Sequence, residues 1–109
     1  MSAMYTFVES TIFARYRPDY LSDDEYAQLQ WFLAEHPMMG DVVPHSGGVR
    51  KMRWRTGETG KRGGIRVIYY LQTHRGEIWL LTLYGKSAQE NIPGYILRQL
   101  KEAFENEGI

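Results

Sequence analysis

The sequence contains no cysteine, which excludes a disulfide framework, a thiolate zinc site and a cysteine nucleophile. It also lacks a long hydrophobic run, because the longest aliphatic stretch, around residues 78–83, is far shorter than a membrane span. Residues 1–8 have neither the basic nor the apolar region of a signal peptide. From these absences we expect a soluble, cytoplasmic protein that binds no membrane.

The chain has 109 residues, of which 43% are hydrophobic and 14% aromatic. This content is too high for a disordered protein, and the length suits one folded domain and leaves no room for a second. We therefore expect residues 1–109 to form a single domain.

Neither sign of charge is in excess, because 13 Lys and Arg side chains balance 13 Asp and Glu side chains. The balance conceals an asymmetry along the chain. Residues 1–49 have a net charge of −5, residues 50–86 of +7 and residues 87–109 of −2. A basic central third is typical of a surface that binds nucleic acid phosphates, although solvated strands of other proteins also carry basic patches.

Hydrophobic periodicity and turn residues predict the order of secondary structure. Ser22 and Glu25 form a capping box at the start of a helix that should end before Pro37. Strands are predicted at residues 5–9, 49–55, 65–71 and 78–84, and a last helix at residues 93–107. We expect an α+β domain in which helices pack on one face of a small, curled antiparallel sheet.

The first strand of the central third carries three cations on one face. Side chains alternate along a strand, so Lys51, Arg53 and Arg55 point one way, and Met52 and Trp54 point the other. Like charges on one face repel, and proteins usually accept this cost where an anion binds. This strand is therefore a candidate anion-binding surface.

The loop that follows, residues 56–64, contains four glycines together with Lys61 and Arg62. A glycine-rich backbone can approach a phosphate closely and offer its N–H groups. An ordinary long hairpin turn has the same composition, so both interpretations stay open.

Arg66 is the only charged residue within residues 65–71, which predicts partial shielding from water. Its planar fork suits a phosphate, and it equally suits a structural ion pair with a helix carboxylate such as Asp23 or Glu25. Spacing alone does not separate the two roles.

Tyr84 and Lys86 end the last predicted strand and place an aromatic ring and a cation at one edge of the sheet. Such a ring can stack on a base, or lie half-buried with its hydroxyl at the surface. The histidines, His36, His45 and His74, are too scattered for a metal site, and we expect no metal and no cofactor.

Four segments of the sequence resemble the HigB-type toxins of the RelE/ParE superfamily. These segments are FVESTIFARYRPDYLSDDEY, GGVRKMRW, GKRGGIRVIYY and LLTLYGK, and the match covers almost the whole chain in order. The resemblance implies a RelE-like toxin that cuts mRNA in the ribosomal A site without a metal ion. It further implies a cognate helix-turn-helix antitoxin and a toxin that is monomeric outside the antitoxin complex.

The resemblance also implies roles for the basic residues. Arg53 and Arg66 would clamp the scissile phosphate, and Lys51 or Lys86 would accept the proton of the ribose 2′-OH. RNA would be bound by Arg55, Lys61, Arg62 and Tyr84. RelE has a further arginine and a tyrosine after its last strand, where this chain has Ser87-Ala88-Gln89 and Asn91-Ile92-Pro93. A ParE-like gyrase inhibitor and a non-catalytic RNA-binding module remain as alternatives.

Overall fold

The computed structural model describes residues 4–55, 64–85 and 92–107. Within these ranges the chain forms three helices and five strands. The elements in chain order are β1 (Thr6–Glu9), α1 (Thr11–Tyr20), α2 (Asp23–Glu35), β2 (Asp41–Val42), β3 (Arg50–Trp54), β4 (Ile65–Gln72), β5 (Glu77–Gly85) and α3 (Gly94–Glu107). In these ranges every helix is too short or too polar to span a membrane.

The five strands form one sheet in the order β1-β5-β4-β3-β2. Each pair of neighbouring strands from β2 to β5 is antiparallel, as the short connections predicted. Strand β1 instead pairs parallel to β5, with Thr6 opposite Glu77. The α+β class is confirmed, and the expectation of a purely antiparallel sheet is wrong. A strand that joins the sheet through helices is not held antiparallel by a tight turn.

Helix α1 lies where the sequence analysis placed no helix. Ser10 caps it, since the Ser10 hydroxyl accepts a hydrogen bond from the Phe13 N–H at 3.0 Å and donates to Leu81 O at 2.7 Å. The helix contains Pro18, and Phe13 is its one buried residue. Because the helix contains a proline and its apolar stripe is weak, hydrophobic periodicity does not predict it.

Helix α2 begins with the predicted capping box. The Ser22 hydroxyl accepts from the Glu25 N–H at 3.1 Å, and the Ser22 N–H donates to the Glu25 carboxylate at 2.9 Å. The helix ends at Glu35, before Pro37, also as predicted. These two termini were predictable because both signals are local in sequence.

The helices cover both faces of the sheet. Leu29 and Leu33 of α2 and Phe13 of α1 pack with one set of strand residues, whereas Leu97 and Phe104 of α3 pack with the other. The prediction of helices on one face is therefore wrong for α3. Strands β4 and β5 are near-continuous apolar runs, which is typical of strands buried on both sides. We call the side that α3 covers the α3 face.

Tyr26 of α2 should make the fold sensitive to alkaline pH. Its hydroxyl donates to Glu9, and burial, followed by the Glu9 carboxylate, raises the Tyr26 pKa well above its ordinary value of 10.0. The unfolded chain releases this proton near pH 10 and the folded chain retains it. The resulting stabilisation is complete below pH 10 and decreases as the pH rises further.

Urea unfolding between pH 8 and pH 11 measures this effect. We expect Tyr26→Phe to lose less stability above pH 10 than the wild type, because no phenol proton is held at this position. Tyr95→Phe, at a side chain that is 60% exposed, is the control and should follow the wild type. Identical slopes for Tyr26→Phe and the wild type would contradict the linkage to Tyr26.

Candidate functional site

Three polar side chains lie next to one another across the α3 face. The register places Arg53 of β3 opposite Arg66 of β4, and Arg66 opposite Tyr84 of β5. Adjacent strands are about 4.8 Å apart, so the three positions span about 10 Å. We call Arg53, Arg66 and Tyr84 the polar row.

Lys51 lies on the same face, two residues before Arg53 and about 7 Å along the strand. It is half-buried and has an interaction partner, and it stands opposite Ile68 of β4. Arg55 follows β3 and is exposed. The structure therefore brings together Lys51, Arg53, Arg66 and Tyr84 of the predicted site residues. Lys61, Arg62 and Lys86 lie outside the described residues, as does most of the glycine-rich loop.

Of the two carboxylates suggested as partners for Arg66, Asp23 is engaged elsewhere, and Glu25 is engaged through one oxygen, since its buried Oε2 has no hydrogen-bond partner among the described residues. Asp23 pairs with Arg17 at 2.9 Å, and one Glu25 oxygen accepts from Ser22 in the capping box. Both belong to α2, on the opposite side of the sheet from Arg66. The Nη1 atom of Arg66 is buried and has no hydrogen-bond partner in the described part of the chain. The geometry thus favours the anion-binding role over the proposed structural ion pair.

The hydroxyl of Tyr84 is, like Arg66 Nη1, a buried hydrogen-bond donor. Its side chain is 7% exposed, and Oη has no hydrogen-bond partner among the described residues. Burial raises the pKa of Tyr84, and the charge of Arg66 lowers it by less. The phenol is therefore neutral near pH 7 and can donate a proton to a hydrogen bond. Two adjacent buried donors that have no acceptor among residues 4–55, 64–85 and 92–107 are a costly arrangement that suits a bound anion.

Removal of the Tyr84 hydroxyl should separate anion binding from stability. In Tyr84→Phe we expect the free energy of unfolding to stay the same or rise by up to about 1 kcal/mol, because the lost hydroxyl has no partner in the part of the chain that the structure describes. Inorganic phosphate should raise the melting temperature of the variant less than that of the wild type. Tyr95→Phe is the control and should respond as the wild type does. Equal phosphate responses in Tyr84→Phe and wild type would contradict a donor role for Oη.

A cleft of about 410 Å³ continues from Lys51 between β2 and the start of α3. Asp41 lines it, opposite Lys51 across the β2–β3 pair. The sequence predicts no strand between Pro37 and residue 49 and does not indicate Asp41, because a two-residue strand is too short to show alternation. Within the described ranges, no three His, Asp or Glu side chains lie close enough together to hold a metal ion.

Comparison with known proteins identifies the fold. No protein-family model matches the chain. Its structure is similar to that of a mutant of the E. coli toxin RelE in the free state, in which two arginines are replaced by alanine. The TM-score is 0.60 at 14% sequence identity, and the alignment covers 93% of this chain and 98% of the RelE chain. The chain therefore has a RelE-like fold.

Proposed function

We propose that this protein is the toxin of a type II toxin–antitoxin system and a ribosome-dependent endoribonuclease that cuts mRNA in the A site. The observation that carries the proposal is the polar row, whose buried donors on Arg66 and Tyr84 have no acceptor among the described residues. The RelE-like fold and the HigB-like sequence segments support the assignment. We assign residues 1–109 to a single toxin domain of the HigB type.

The proposed reaction is attack of the ribose 2′-oxygen on the adjacent phosphorus. A 2′,3′-cyclic phosphate forms, and the bond from phosphorus to the 5′-oxygen breaks. Negative charge accumulates on the phosphorane oxygens, where Arg53 and Arg66 provide fixed positive charge and forked donors. Tyr84 donates a further hydrogen bond, a role that its burial favours over stacking on a base.

Proton transfer completes the proposed mechanism. Lys51 or Lys86 accepts the 2′-OH proton, and a protonated group near the row returns a proton to the leaving 5′-oxygen. Lys51 is on the same face as the row, and Lys86 follows β5 directly after Gly85. Arg55, Lys61 and Arg62 contact the backbone of message or ribosomal RNA. This mechanism uses no cofactor.

The proposed partners follow from the function. A cognate antitoxin with a helix-turn-helix domain inhibits the toxin, and the ribosome with mRNA in its A site is the substrate complex. The toxin is monomeric outside the antitoxin complex and acts in the cytoplasm.

Translation of a defined mRNA by purified ribosomes tests the proposal. We expect fragments that end within the A-site codon, and we expect intact message when ribosomes are omitted. A parallel supercoiling assay with purified gyrase should show no inhibition. Intact message on ribosomes together with inhibited gyrase would favour a ParE-like inhibitor, and binding of RNA without cleavage would favour a non-catalytic module.

A further inference from the structure

The cleft of about 410 Å³ between β2 and the start of α3 adjoins the polar row. We call it the β2–α3 cleft. Lys51 lines it on the α3 face and lies two residues, or about 7 Å, from Arg53 along β3. Apart from Lys51, the residues that line the cleft have no role in the proposed chemistry. A nucleotide next to a phosphate held at the polar row would reach this cleft.

The wall of the cleft that Pro44 forms is held in place from two sides. The buried Ser46 hydroxyl donates to Val43 O at 2.6 Å and accepts from the Val49 N–H at 3.0 Å, which closes the turn around Pro44. Gly94, the first residue of α3, packs so closely that a Cβ atom there would overlap Pro44 O. The turn and the helix therefore fix each other, and the cleft is preformed.

The lining combines apolar walls with one acceptor group and one donor group. Val43, Pro44 and Ile92 provide apolar surface. Asp41 and Lys51 are opposite each other across the β2–β3 pair, so their Cβ atoms are about 5 Å apart. An ionised carboxylate only accepts hydrogen bonds, and an ammonium only donates them. Apolar walls around a few placed polar groups are typical of a ligand site in which the polar groups determine specificity.

Guanine matches this pair of polar groups better than the other three RNA bases. Its Watson–Crick edge carries two adjacent donors, N1–H and N2–H, beside the acceptor O6. The two donors suit the two oxygens of the Asp41 carboxylate, and O6 suits the Lys51 ammonium. Adenine, cytosine and uracil each offer the carboxylate a single donor group, so they make fewer hydrogen bonds in the same cleft.

We propose that the β2–α3 cleft binds a guanine base of the message, at a nucleotide next to the scissile phosphate, and that Asp41 determines this specificity. The inference rests on the proposed function, because the polar row must hold the phosphate for the neighbouring base to enter the cleft. Lys51 donates to O6 from its ammonium form. Lys86 is then the group that accepts the 2′-OH proton.

Binding of free nucleotides tests the cleft without ribosomes. We expect guanosine 5′-monophosphate to bind at least about tenfold more tightly than the adenosine, cytidine and uridine monophosphates, because the phosphate is common to all four and guanine makes the additional hydrogen bond. The amide signals of Val43 and Gly94 should shift in NMR spectra on binding. Equal affinities for the four nucleotides, or shifts confined to residues outside the cleft, would overturn the proposal.

Asp41→Asn should change which base is preferred. The amide has one acceptor and one donor group, so it loses the double contact with guanine and can pair with adenine through N6–H and N1. On ribosomes the wild type should cut messages with guanine beside the cut site at least about tenfold faster than matched messages with adenine. Asp41→Asn should abolish or reverse this difference, and the exposure of Asp41 makes a folded variant expected.

Asp24→Asn makes the same substitution at an exposed carboxylate of α2 and is the control. It should keep the preference for guanine in both assays. Cleavage of all messages at equal rates, unchanged in Asp41→Asn, would overturn the role of Asp41 and leave the endoribonuclease intact. Guanine-selective binding that Asp41→Asn removes, together with intact message on ribosomes, would support the cleft and refute the endoribonuclease.

Discussion

Replacement of Arg66 by alanine should reduce the rate of message cleavage on ribosomes by at least about 100-fold. Arg66 is the middle residue of the polar row, between Arg53 and Tyr84. Its fixed charge and forked donors would act on the phosphorane, where the negative charge develops. The loss should appear in the rate at saturating ribosome concentration, because the interaction strengthens in the transition state.

The same substitution should not unfold the protein. Arg66 Nη1 has no hydrogen-bond partner in the described residues, and its neighbour Arg53 has the same charge. We expect Arg66→Ala to unfold in urea with a free energy equal to that of the wild type or up to about 1 kcal/mol higher.

Two controls sharpen this experiment. Arg66→Lys keeps the charge and loses the fork, so its rate should lie between those of Arg66→Ala and the wild type. Arg75→Ala removes an exposed cation from the turn between β4 and β5 and should cleave as the wild type does. Full activity in Arg66→Ala, or an equal loss in Arg75→Ala, would contradict the phosphate-clamp role of Arg66.

Replacement of Gly64 by alanine should cause a large loss of stability, about 2–5 kcal/mol. Gly64 has φ of +72°, and a Cβ atom there would lie 2.4 Å from Trp54 O. The left-handed backbone and the contact with a backbone oxygen both oppose the substitution. Because Gly64 precedes β4 directly, the shift should also displace Arg66 and lower cleavage.

Gly76→Ala is the matched control for the steric part of this effect. Gly76 has φ of +62°, but among the described residues a Cβ atom there would have only Met4 O nearby, at 3.7 Å. We expect a loss of about 1–2 kcal/mol from the backbone conformation alone. Urea unfolding of the two variants measures the difference, and equal losses would contradict a clash at Gly64.

The sequence predicts the elements of this fold better than their arrangement. Strands β3, β4 and β5 and the capping box of Ser22 and Glu25 were predictable, because short runs of β-branched and aromatic residues and helix caps are local signals. The parallel direction of β1 and the position of α3 on the second face depend on tertiary contacts, which periodicity does not contain. Pro18 concealed α1 for a local reason, since proline usually ends a helix.

In the candidate site, too, the local features were predictable from the sequence and the tertiary arrangement was not. Alternation along β3 correctly places Lys51 and Arg53 on one face, a property of a single strand. The alignment of Arg53, Arg66 and Tyr84 depends on the registers of three strands. Whether Arg66 Nη1 and Tyr84 Oη find an acceptor in the described part of the chain depends on packing. The charge asymmetry of the sequence indicated the basic surface, and the structure provides its geometry for residues 51, 53 and 66.

The chemistry of the cut ends tests the central claim most directly. Message cleaved on ribosomes by the wild-type protein should carry a 2′,3′-cyclic phosphate or its 3′-phosphate hydrolysis product, with a 5′-hydroxyl on the downstream fragment. Arg66→Ala should yield the same ends at a rate at least about 100-fold lower. Fragments with a 3′-hydroxyl and a 5′-phosphate, or no cleavage by the folded wild-type protein, would contradict attack by the 2′-oxygen at the polar row.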